Sequence, residues 1–558
     1  MYLRITKRRN ADGTEVQYYQ LAENVWDPAR GYAVAKVVYN FGRADELDRD
    51  ELRRLASSIL RVVGDSTVAG NAAGAVTIRD AWPYGTVWVV EQIWKQLDVE
   101  SILRRHGGTH KTTTVTHFVR AIFAMVANRT HAPYSKLHCW EQWLRDDVFL
   151  PEADDLDLHH LYLGMDFLEE HKAEVEKAVY FAMADLMKAD VDLIFYDTTS
   201  LHFEIDDEDA WPDGDYPPLR KHGYAKNGRD DVPQIVVGLA VTRDGLPVRS
   251  WVFPGNTADV TTVEKVKEDL PGWRLGRCVF VGDAGMNSDD NRRRLALGGG
   301  KYILASRLRA GDEVTSDVLT RAGRFKEIRD NLRVKEVFVG EGERRRRYVV
   351  CYNPHEAERQ QAHRNKLLEQ LEADLASMKP ASGAHTKRVC ELVSSARVGR
   401  YLRQTAKGGL RIDRAAVKDA EHYDGKWVIT TNDDTLTPED LALGYKQLMR
   451  VEQCWRQLKS GLRMRPVFHY RPWRIQAHVT LAVLALLVER IAEIRAGDTW
   501  RNLVDQLGRI KVVEYEHNGA RVRQTSEIDR NLAVLLDKLG VPLPPKLHAV
   551  TLASAPAA

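Results

Sequence analysis

The chain has no CxxC pair among its five cysteines, no apolar run long enough to cross a bilayer, almost no net charge and no internal repeat. Each absence excludes something. Cys139, Cys278, Cys351, Cys390 and Cys454 are scattered, so neither a disulfide framework nor a structural zinc site is indicated, and a cytoplasmic compartment is expected. The longest apolar run, VTLAVLALLV from Val479, has ten residues between His478 and Glu489. A span needs about 20, so a buried helix is expected and no membrane partner. The opening MYLRITKRRN is basic but has no apolar stretch behind it, so no secretory signal is expected. With 81 Lys and Arg against 79 Asp and Glu the formal charge is +2, and only its distribution can speak about partners. The 18 histidines show no spacing that suggests a metal site.

What is present is the composition of a folded protein, 44% hydrophobic and 29% charged, over 558 residues, enough for several units. Residues 1–75 carry the β-like runs VQYYQLAENVW and AVAKVVYNFG, then DELRRLASSILRVV, where Leu52, Leu55, Ile59 and Val62 recur at helical spacing. This is a small α+β unit, followed by a linker-like stretch from Ser66 to Thr77. Helical patterns fill residues 76–190. Residues 191–305 read as a strand (VDLIFYD), a hairpin turning at Asp244-Gly245, a helix from about Thr261 with capping-box spacing to Glu264, the strand RCVFVGD, a helix from Asn287 to Leu297 and the strand KYILAS. That order predicts an α/β core with a mixed sheet. Residues 306–425 interrupt it as an insertion, and 426–500 resume it with WVITTN and one long helix from Leu436. Residues 501–558 form a C-terminal region.

Three acids stand out in this frame. Asp197 follows the apolar run VDLIFY and Asp283 closes VFVGD, so each is expected at the end of a strand, in the crevice at the sheet's carboxyl edge. Each alone is as readily a cap or turn residue. Tyr445, Glu452 and Lys459 are seven residues apart, which on a helix puts them on one face, beside an apolar stripe of Leu448, Val451, Trp455 and Leu458. Should the three acids converge to about 5 Å, each ionised pair would repel by about 3 kcal/mol. A positive partner is then required. Oxygen ligands without His or Cys suit Mg²⁺ or Mn²⁺, and two such ions serve in-line phosphoryl displacement.

The polyanion is named by a second feature. Arg450, Arg456, Lys459, Arg463, Arg465, Arg471 and Arg474 crowd the stretch from 450 to 478 against the single acid Glu452, interleaved with Trp455, Phe468, Tyr470 and Trp473. Arginine with aromatics is what phosphate-backbone binding uses.

With those residues in view the chain resembles the DDE transposases of bacterial insertion sequences, in particular the large IS-four-like branch with an RNase H-like core and an insertion domain. The resemblance rests on FYDTTS, KNGRDDVPQIVVGLAVTRDGLPV with FPGNTADVTT, GDAGMNSDDN, and YKQLMRVEQCWRQLKSGLRMRPVFHYRPWRIQAHV, roughly residues 194–490. That branch carries a Tyr-Arg-Glu-Lys signature on its last catalytic helix. Tyr445, Glu452 and Lys459 keep its spacing, while Leu448 stands at the Arg position, leaving Arg450 or Arg456 to substitute. The resemblance implies a metal-dependent transposase that cleaves DNA at element ends and joins them to target DNA. Asp197, Asp283 and Glu452 would hold two metal ions, and Tyr445 and Lys459 would hold terminal phosphates. It also implies end binding by 76–190, an insertion domain at 306–425 closing over the end, and a homodimer that synapses two ends, with dimerisation assigned to 501–558. Two alternatives stand beside it: an RNase H-like nuclease that cuts without joining, and a domesticated DNA-binding protein, which would be expected to have lost a carboxylate.

Overall fold

The computed structural model describes residues 2–9, 15–28, 30–44, 47, 76–108, 110–189, 191–224, 228–269, 273, 278–308, 313–342, 345–377, 387–405, 409–517 and 520–552. The helical pattern expected at 50–63 and most of the linker after it lie outside these residues. The chain divides into two compact units, one of Met1–Arg79, Tyr515–Val522 and Val550–Ala558, the other of Asp80–Glu514 and Arg523–Ala549. In the smaller unit Tyr2–Arg9, Glu15–Asp27 and Tyr32–Arg43 form an antiparallel sheet in chain order. Two of these strands are the β-like runs of the sequence; the basic N-terminal strand was not legible there.

The larger unit is built on a nine-stranded mixed sheet. Its strands are β1 (Leu193–His202), β2 (Gln234–Val241), β3 (Pro247–Pro254), β4 (Val279–Gly282), β5 (Lys301–Ser306), β6 (Lys326–Arg329), β7 (Leu332–Val339), β8 (Arg346–Tyr352) and β9 (Lys426–Thr431). Their order across the sheet is β6-β7-β8-β9-β5-β4-β1-β2-β3. β1 pairs parallel with β4, and β4 with β5; the other neighbours are antiparallel. The β2–β3 hairpin turns at Gly245, whose φ of +76° is one that L side chains rarely adopt.

In one hydrophobic core with the sheet lie α1 (Thr112–His131), α2 (Leu158–Glu170), α3 (Lys172–Met187), α4 (Asp259–Asp269), α5 (Asp289–Ala296), α6 (Pro438–Lys446), α7 (Met449–Arg456) and α8 (Pro472–Ala496). The ten-residue apolar run lies inside α8, which starts with Pro472 in its first turn and stops at Gly497 in the left-handed region. By length and composition α8 could cross a membrane, but 89% of its most apolar window is buried among α1, α2, β3 and their neighbours. A helix apolar all round is what a core position demands.

Four sequence expectations change. β1 does not stop at Asp197 but runs on to His202, with Thr198, Thr199, Ser200 and Leu201 buried. Its polar residues continue the strand because β2 pairs with them throughout. The helix expected from Thr261 begins at Asp259, and the Thr261 hydroxyl donates to the carbonyl of Ala258. The long helix from Leu436 is broken after Lys446, where Gln447 and Leu448 tighten the chain, and again where Gln457–Gly461 widens into a π turn. Finally, part of the stretch read as an interruption contributes β6, β7 and β8 to the central sheet. Further along it, Leu367, Leu368, Tyr401, Val417 and Ala420 make a small core of their own.

Candidate active site

β1 and β4 are parallel neighbours in the register Leu193↔Val279 and Phe195↔Val281. Continuing that register by two residues sets Asp197 level with Asp283, on strands about 4.8 Å apart. β4 is only four residues long, so from Asp197 onward one side of β1 has no strand beside it. The crevice opens there, in mid-strand, because the neighbour ends. Leu193 lies on the same face of β1 as Asp197, four residues on, and its Cδ1 reaches within 3.7 Å of where a Cβ on Gly444 of α6 would stand. Asp197 is therefore on the face that α6 and α7 cover.

Tyr445, at the end of α6, reports on all three acids. Burial pushes its phenol well above the ordinary tyrosine range, and the negative charges of Asp283, Glu452 and Asp197 push it further in the same direction. Such coupling falls with distance, so all three carboxylates lie within electrostatic reach of this one side chain, although their oxygens do not all come within 4.8 Å of one another. Glu452 is exposed in the first turn of α7, while the stripe Leu448, Val451, Trp455 and Leu458 is buried, as its spacing required.

The turn after β4 fixes Asp283. Its Oδ1 accepts from the backbone N–H groups of Gly285 at 3.0 Å and Met286 at 3.2 Å, so Asp283 is a turn residue as well as a member of the cluster. A Cβ on Gly285 would stand 3.2 and 3.5 Å from the two Asp283 carboxylate oxygens and 3.7 Å from Oδ2 of Asp259. Asp259, in the first turn of α4, is thus a fourth carboxylate at the site's margin, and it accepts a hydrogen bond from the Thr198 hydroxyl next to Asp197. Nothing in the sequence sets it apart, since a lone Asp at a helix start is explained by the helix dipole.

Asp197, Asp283 and Glu452, with no His or Cys among them, are the ligand type that a hard divalent cation takes. Elsewhere the fold brings Asp157, His159 and His160 to within 4.8 Å of one another, a grouping the histidine spacing had not suggested. His160 Nδ1 already accepts the Asp157 N–H at 3.0 Å, so its other ring nitrogen carries the proton and offers no lone pair to a metal.

Compared with known families, residues 192–488 match the Transposase DDE domain, a span that holds Asp197, Asp283 and Glu452. Residues 3–69 match the N-terminal domain of the IS1634 family transposases. The chain belongs to the DDE transposases of bacterial insertion sequences. No curated protein matches this transposase. Among solved structures, the cryo-EM structure of the piggyBac transposase synaptic complex with hairpin DNA matches at 9% identity and a TM-score of 0.36, over 76% of this chain and 78% of that one.

Around the acids the transposase sorts its basic residues in a way the sequence could not. Arg456, one turn after Glu452, is exposed on the same side of α7, and Lys459 follows half-buried in the π turn. Arg450 lies on the other side, against the β2–β3 turn, with its Cβ 3.7 Å from where one on Gly245 would stand and its Nη1 3.2 Å from Gln453 Oε1. Arg463 is exposed, with its guanidinium over the Tyr134 ring, and Arg465 is half-buried. Two members of the run are tied to acids from far away: Arg471 to Asp213 at 3.1 Å, and Arg474 to both oxygens of Asp166 at 2.8 Å. The stretch is therefore less cationic in the fold than in the sequence. Leu448 is buried at the helix break, so this position faces the core rather than a phosphate.

Proposed function

We propose that Asp197, Asp283 and Glu452 are the catalytic carboxylates of this transposase and that together they hold two divalent ions, Mg²⁺ or Mn²⁺. The level placement of Asp197 and Asp283 on adjacent parallel strands, with Glu452 in the first turn of the helix that follows Tyr445, carries this reading. When bound, such ions activate a water or a 3′-hydroxyl and stabilise the leaving oxygen. The protein's part is to fix the ligands: β1 and β4 set two of them at one level, the turn N–H groups hold Asp283, and α7 brings Glu452 across. Tyr445 stays protonated and can donate its O–H to a phosphate oxygen. Lys459 and Arg456 face the same way and supply positive charge for the DNA backbone, and Arg463 and Arg465 extend that surface; Arg450, on the far side of α7, would contact a different part of the duplex.

The spacing of Tyr445, Glu452 and Lys459 supports membership of the IS-four-like branch, and the mixed sheet supports an RNase H-like core. In the same reading residues 76–190 bind the element's ends, 306–425 close over them, and 501–558 serve a homodimer on double-stranded DNA in the cytoplasm. The test is strand cleavage and joining with Mg²⁺ and DNA bearing the element's own ends. Asp197→Asn, Asp283→Asn and Glu452→Gln are each expected to lower product formation at least about 1,000-fold while end binding by gel shift is retained. Full activity in any one of them removes that residue from the set.

A further inference from the structure

The turn 462–464 sits between the π turn and the arginines beyond it, and its backbone is held from outside. Arg129, in the last turn of α1, donates through Nη1 to the carbonyls of Leu462 at 3.0 Å and Arg463 at 2.7 Å. Its Nη2 lies 3.3 Å from Nδ1 of His478, and Nε2 of His478 lies 2.9 Å from the carbonyl of Met464. A guanidinium can only donate, so Nδ1 accepts and Nε2–H donates, which fixes the neutral tautomer of His478. Three successive carbonyls are thus capped by two side chains that are 4% and 3% exposed. Arg463 itself has a φ of +45°, a conformation an L side chain rarely takes unless its surroundings impose it. Its exposed guanidinium rests on Tyr134, 5.3 Å from the ring centroid, and that ring is stacked in turn on His138 at 4.2 Å.

We propose that Arg129, His478 and Tyr134 are positioning residues that aim Arg463 at a DNA phosphate. Arg129 and His478 lock the backbone of the turn; Tyr134 braces the side chain. The inference rests on the reading that Arg463 contacts the DNA backbone, and it adds that this contact is made by a preset arginine rather than a free one. Presetting lowers the conformational entropy lost on binding.

The test is a double-mutant cycle on DNA binding over a range of salt concentrations, using duplex carrying the element's ends. Arg463→Ala is expected to make the salt dependence shallower by about one phosphate contact. Tyr134→Ala, at a half-exposed site that does not threaten folding, is expected to weaken binding about two- to five-fold. Tyr134→Phe, which keeps the ring, should restore it. In the Arg463→Ala background, Tyr134→Ala should cost nothing further, and Arg129→Gln, read by the same cycle if it folds, should behave likewise. Additive losses, or failure of Tyr134→Phe to rescue, overturn the positioning role while leaving Arg463 as a contact. An Arg463→Ala variant with unchanged affinity and salt slope overturns the contact itself, and with it the proposal.

Discussion

Gly285 shows how small a change the site would notice. It is two residues from Asp283, and a methyl group there would press on the Asp283 Oδ1 at 3.2 Å and touch Oδ2 at an ordinary 3.5 Å. Gly285→Ala is expected to turn the Asp283 side chain without unfolding the protein. A misplaced ligand should then lower cleavage about 10- to 100-fold while the melting temperature moves little. Steady cleavage assays beside thermal melts check this; a loss of stability matching the loss of activity would mean the methyl group disturbs the fold and not the ligand. At this scale the sequence singles out Asp197, Asp283 and Glu452 only by their joint placement, since each alone is as readily a cap, turn or helix-flank residue. Asp259 is not singled out, since its relation to Thr198 and Gly285 exists only across space.

Elements are joined at the site by one buried amide. Asn291, in the first turn of α5, donates to the carbonyls of Met286, in the Asp283 turn, and Val260, beside Asp259 in α4, both at 2.8 Å. It therefore ties the turn of one carboxylate to the helix of another. Asn291→Ala leaves both carbonyls without that donor and is expected to cost about 1–3 kcal/mol, seen as a lower denaturant midpoint at an unchanged slope. No change in midpoint would mean that water replaces the amide at no cost. Element types followed from periodicity and turn chemistry: the β2–β3 hairpin from Asp-Gly, α8 from its apolar run. Element ends did not. β1 outran its apolar stretch because β2 offered partners, and the helix from Leu436 broke where buried Leu448 had to meet the core.

Across the molecule, burial sets a pH dependence. Glu169, near the end of α2, has its carboxyl pushed up to about 7, chiefly by desolvation, with Lys172 partly opposing and Glu176 adding to it. Its Oε2 is buried without a hydrogen-bond partner. Glu489 in α8 is likewise raised by burial, and its carboxyl accepts from Gln457 Nε2 at 2.6 Å. A raised carboxyl means that the folded state holds a proton the unfolded chain has released, so stability falls as pH rises from the ordinary value of 4.5 toward about 7. Glu169→Gln should flatten that fall and leave the protein about 3 kcal/mol more stable than the parent at pH 8, with little difference near pH 4. Melting curves across that range decide it, and equal slopes for the two proteins would refute the assignment.

The sequence by itself determined which acids close apolar, strand-like runs or lie on one helix face, where strands and helices alternate, and that arginines gather beside Glu452. Those are local facts, written in residue type and spacing. Tertiary structure alone decided that Asp197 and Asp283 stand level, because register belongs to a pair of strands. It also decided which arginines are available: Asp166 and Asp213, more than 200 residues upstream, bind Arg474 and Arg471, while Arg129 and Tyr134 set Arg463 in place. Charge counted along a chain cannot anticipate a partner that only folding brings near.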